Sequence, residues 1–79
     1  MSPTILRIGS FRFFFFSREE PRAHVHVHSP DGEAKFWLEP VVEPAVNYGL
    51  PEKVLGEVGK LVEENQEAFR EAWNCHFGS

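Results

Sequence analysis

At Pro51 the apolar residues of this chain change their spacing, from every second position to every third or fourth. Few folds accommodate that switch within 79 residues. A period of two belongs to a strand with one face buried, and a period near 3.6 to a helix with one apolar stripe. Strands first and one long helix after them imply an α+β domain. The expected architecture is a four- to five-stranded, mainly antiparallel sheet with the helix packed on one face. Residues 1–48 form the sheet part and 51–77 the C-terminal helix of a single domain.

The helix has readable signals at both ends. Pro51 suits a first turn, Glu52 favours the positive end of the helix dipole, and Gly78 follows the last apolar residue. At 100° per residue, Val54, Leu55, Val58, Leu61, Val62, Phe69, Ala72 and Trp73 fall on one stripe. Asn65 and His76 interrupt it. Asn65 is expected to satisfy a backbone group and His76 to sit favourably at the negative helix end. Gly56 and Gly59 each weaken the helix by about 1 kcal/mol relative to alanine.

Within the sheet part, Thr4–Ile8 and Phe11–Phe16 are strand-like runs separated by Gly9-Ser10, the signature of a type II′ hairpin. Phe11, Phe13 and Phe15 share one face, while Arg12, Phe14 and Phe16 share the other. Both faces are largely apolar, which points to an interior strand. Ser17–Arg22 reads as a loop. Ser29-Pro30-Asp31-Gly32 should close a second hairpin onto Ala34–Leu38. Residues 41–47 read as a short edge strand ended by a turn at Asn47-Tyr48-Gly49, with a helical turn as the alternative, because Pro44 is tolerated at a sheet edge.

Between these runs lies Ala23–His28, in which two patterns of period two coincide. Val25 and Val27 form one row and suit a core. His24, His26 and His28 form the other, with Lys35 and Trp37 beside them if Val25 and Val27 pair with the Phe36 row. Alternate positions on a strand lie roughly 6.5–7 Å apart, close enough for two imidazoles to share a divalent transition metal such as zinc or nickel. His24, His26 and His28 are therefore candidate metal ligands. Alternatively, His24 and His26 are candidate general acid and base for RNA cleavage, because imidazole titrates near neutrality. Arg22, Lys35 and Trp37 are candidate binding residues in either case. A third reading makes the histidine row part of a surface for a protein partner or a second copy of the chain.

Charge is unevenly distributed. Residues 1–38 carry a balance of +1 and residues 39–79, with eight glutamates, a balance of −5. The acidic total argues against broad nonspecific nucleic-acid binding, but RNA remains a candidate partner for a local site on the N-terminal half. One cysteine, Cys75, fits a reducing compartment better than a disulfide scaffold. Met1–Arg7 lacks a signal-peptide pattern, and no apolar run approaches the ~20 residues that span a bilayer. The expectation is a cytoplasmic protein without a membrane partner.

Taken together, His24-Val25-His26-Val27, Ala34-Lys35-Phe36-Trp37-Leu38, the glycine before the long helix, Glu64-Asn65, Trp73-Asn74 and Phe77-Gly78 resemble a known pattern. The chain resembles, over almost its full length, the small bacterial and archaeal proteins grouped as domain of unknown function 4160. Members of that family are often encoded beside another small protein, an arrangement similar to a toxin–antitoxin pair. The resemblance therefore implies a protein partner encoded nearby. This chain departs from the usual pattern at Ala23, where proline is common. His28 is not part of the family motif, so a metal set containing it is not implied by the resemblance.

Overall fold

The computed structural model describes residues 4–15 and 21–77. Five strands run in chain order, β1 (Thr4–Ile8), β2 (Phe11–Phe14), β3 (His24–Ser29), β4 (Gly32–Trp37) and β5 (Glu43–Tyr48). They pair as an antiparallel meander, each with its sequence neighbour. Two helices follow, α1 (Glu52–Glu64) and α2 (Gln66–Phe77), which makes the fold α+β.

The hairpins follow from local chemistry. Gly9 has a φ of 57° and, among the described residues, no non-glycine residue has a positive φ, as the expected type II′ turn requires. At the β3–β4 turn, Ser29 Oγ accepts a hydrogen bond from the Asp31 amide at 3.2 Å. Gly32 is needed there for space, because a Cβ at this position would run into the carbonyl oxygen of Tyr48. The 29–32 turn thus abuts the end of β5.

Register puts the valines where the alternation predicts. Val25 lies opposite Phe36, and Val27 lies between Phe13 and Ala34. All five side chains are buried against Val58, Val62 and Phe69 of the helices. The rings of Phe13 and Phe69 are 5.3 Å apart between centroids. β2 occupies the interior position its two apolar faces imply, with Phe13, Phe14 and Phe15 all buried. Phe16 and the proposed stop at Gly78 lie outside the described residues.

Residues 43–48 form an edge strand, with Pro44 opposite Phe36 where the register shifts. The expected turn begins later than anticipated, since Asn47 and Tyr48 still belong to β5. Asn47 closes the turn by donating from Nδ2 to the Leu50 carbonyl and accepting the Leu50 amide at Oδ1, both at 2.9 Å. Pro51 caps α1 from just outside it, and its carbonyl accepts the Leu55 amide at 2.8 Å.

The expectation of one long helix is corrected to two. Asn65 adopts φ −113° and ψ 17°, outside helical geometry, and its Nδ2 donates back to the Leu61 carbonyl at 2.8 Å. Side-chain bonding to the carbonyl four residues earlier offers the backbone an alternative to continuing the helix, and such contacts bend helices. The stripe still reads as one period across the break because only Asn65 separates α1 from α2. Periodicity alone therefore could not show it.

The two helix glycines have different surroundings. A Cβ on Gly59 would lie 3.4 Å from Phe36 Cε2, whereas one on Gly56 would meet nothing within 4 Å. Gly56→Ala should therefore keep only the propensity gain, raising unfolding stability by about 0.5–1 kcal/mol. A urea titration comparing the two proteins checks this, and an unchanged or lowered midpoint would contradict the open space assigned to Gly56.

Candidate binding face

The helices pack on the Val25 side of the sheet, and the other side carries the candidate residues. Pairing arranges them in three rows across the strands. Arg7, Arg12, His28, Glu33 and Tyr48 form the first row. Phe14, His26, Lys35 and Val46 form the second, and His24, Trp37 and Glu43 the third. Neighbouring strands stand about 4.8 Å apart, so side chains along a row are in reach of one another.

The three histidines occupy three environments. His24 is 2% exposed. Its Nδ1 is 2.6 Å from the Arg22 carbonyl. Because a carbonyl only accepts, Nδ1 is the donor in this contact. Around the His24 ring stand those of Trp73 at 4.9 Å, His26 at 5.3 Å and Trp37 at 5.7 Å. His26 is half-buried and stacks on Phe14, with centroids 5.4 Å apart and planes 21° from parallel. His28 is exposed and donates from Nδ1 to Glu33 Oε2 at 3.0 Å.

These placements separate the expected residues. His24, His26, Trp37, Arg22 and Lys35 come together, as the strand pattern anticipates. His28 stands apart with Glu33, and among the described residues no three His, Cys, Asp or Glu side chains converge on one point. The three histidines thus do not form one ligand group, since His28 is engaged with Glu33 while the His24 and His26 rings stand together.

Cations cover the aromatic rings. The Arg22 guanidinium lies 4.2 Å and the Lys35 ammonium 4.8 Å from the centre of Trp37, while Arg12 lies 4.5 Å from the centre of Phe14. Such contacts are worth about 0.5–1 kcal/mol at exposed sites. Arg22 also donates from Nε to the Glu39 carbonyl at 2.8 Å and pairs through Nη2 with Glu43 at 3.2 Å. It therefore ties the segment before β3 to the β4–β5 connection, in addition to any contact with a partner.

Sequence reasoning did not place Trp73, Phe14 or Glu43 in this site. Trp73 belongs to the helical stripe, yet its indole meets both Phe15 on the helix side, edge-on at 5.4 Å, and His24. Its only signal was the Trp73-Asn74 element of the family pattern. Phe14 was legible from its alternation with Arg12. Glu43 was not, because its position depends on the register shift between β4 and β5.

With this geometry in view, comparison with known families is decisive. The family model for DUF4160, a domain of unknown function, matches residues 10–74. The chain belongs to the DUF4160 family. The matched span contains β2 to β5, α1 and most of α2, and hence the His24–Trp37–Trp73 cluster of this DUF4160 chain. No curated protein and no solved structure matches the chain. No helix among the described residues is long and apolar enough to cross a membrane.

The contrasting environments of His24 and His28 make a direct test. His24→Ala should remove buried ring contacts and cost about 2–4 kcal/mol of stability, whereas His28→Ala should stay within about 0.5 kcal/mol of the parent. Urea titrations of both variants check this. Equal losses would contradict the assigned burial.

Proposed function

We propose that this chain is a small partner-binding protein, one component of a two-protein pair of toxin–antitoxin character, and that the outer face of its sheet is the binding surface. One observation carries the reading. The face away from the helices gathers Trp37, Tyr48, Arg12 and Arg22 around the histidines, and Tyr48 is 66% exposed. Tryptophan, tyrosine and arginine are the side chains that most often dominate interface energetics, because they combine large apolar area with polar tips. The family's paired-gene arrangement supports a protein as the occupant.

Tyr48 provides the cleaner test, since it lies at the sheet edge and outside the core. Tyr48→Ala should weaken binding of the protein encoded beside this chain at least tenfold, about 1.4 kcal/mol, with little change in stability. Calorimetric titration of the co-expressed, separated pair checks this. A neighbour that does not bind, or that binds Tyr48→Ala and the parent equally, would overturn the reading.

A second reading is favoured by the 5.3 Å separation of the His24 and His26 rings, which suits an acid–base pair acting on RNA without metal. The enclosure of His24 by Trp37 and Trp73 weighs against it, since substrate must reach both rings. This reading expects RNA cleavage that survives chelator and falls at least a hundredfold in His26→Ala. Equal cleavage by variant and parent would remove it.

A further inference from the structure

On the opposite side of the domain, an open groove of about 580 Å³ runs between α1 and β5. Its lining includes the apolar side chains Phe36, Val42, Pro44 and Leu55, together with Gly56 on the helix. We propose that this groove receives a basic amphipathic helix from a protein partner. The inference rests on the reading of the chain as a partner-binding protein, but it concerns a different surface, with Glu43 alone among the outer-face rows also bordering the groove.

Three observations select that occupant. First, Gly56 weakens α1, and no neighbour within the domain needs the space it leaves. Gly59, one turn on, is filled from inside by Phe36 at 3.4 Å. The bare backbone at Gly56 faces the groove, so an incoming helix can approach α1 closely there. Second, Glu52, Glu57 and Glu63 border the groove on the helix side against Lys60 alone. An excess of carboxylates around an apolar floor complements lysines or arginines flanking an apolar stripe. Third, the adjoining edge strand is poorly suited to adding a further strand. Pro44 has no amide hydrogen, and the β4–β5 register shifts beside it.

The test uses a labelled 18-residue helical peptide of leucine and lysine, with an otherwise identical leucine–glutamate peptide as its counterpart. Amide chemical-shift perturbation in the full chain should centre on Val42, Leu55 and Gly56, and the lysine peptide should bind at least tenfold more tightly than the glutamate peptide. Gly56→Leu fills open space, so the variant should fold and lose binding at least tenfold. Glu57→Gln with Glu63→Gln should weaken binding severalfold and flatten its salt dependence, whereas Glu71→Gln on α2 should leave it unchanged. Equal binding of both peptides, undiminished binding by Gly56→Leu, or perturbation centred away from the groove would overturn the proposal. If the peptide fails while the neighbouring gene product still binds through Tyr48, the groove is lost and the proposed function stands. If the neighbour fails while the peptide binds as described, the reverse holds.

Discussion

Everything else in this domain depends on the contact between the Val25–Val27 row of β3 and the helix residues Val58, Val62 and Phe69. β3 is the middle strand, so the row that faces the helices fixes which face of every other strand is buried. Phe13 and Phe36 are fully buried because they pair with those two valines. A shift of one residue in either pairing would bring the histidines into the core and move the valines out. Burying an unpaired imidazole carries a penalty that burying a methyl group does not, so the register is strongly specified.

The same constraint explains the outer face. Once Val25 and Val27 face inward, His24, His26 and His28 must project outward, and the antiparallel ladder brings Trp37, Lys35 and Glu33 opposite them. The site is thus a by-product of core formation as much as an independent construction. The polar clamp around it does have a separate structural effect. Arg22 joins the Glu39 carbonyl and the Glu43 carboxylate, and Arg70 donates from Nε and Nη2 to the Leu38 carbonyl at 3.0 and 2.5 Å. Both arginines hold the chain where β4 ends, so the row containing His24 and Trp37 is fixed from two sides.

Legibility in the sequence followed the range of the interactions. Elements set by nearest neighbours, such as the Gly9 turn, the 29–32 hairpin and the alternation in β3, could be read directly. The pairing of Lys35 and Trp37 with the histidines followed from one further step, the assignment of the valines to the core. Contacts that depend on the angle between elements could not be read. At Asn65 the backbone amide keeps its bond to the Leu61 carbonyl at 3.1 Å and the side chain bonds the same carbonyl at 2.8 Å, so the break is a local change of backbone angle that the residue pattern does not announce. Trp73's contact with His24 depends on where that break sends α2.

That contact changes what the outer histidines can be used for. Trp73 packs against Phe15 within the core and against His24 at the head of the outer row, so one indole spans the two sides of the sheet. A ligand or partner that displaced His24 would have to disturb the α2 packing as well. His26 stacks on Phe14, and His28 bonds to Glu33, both partners being strand residues. The histidine row therefore divides by mechanical coupling. His24 belongs with the core it borders, whereas the side chains farther along the sheet, from His26 to the exposed ring of Tyr48, can change their contacts with less disturbance of the fold.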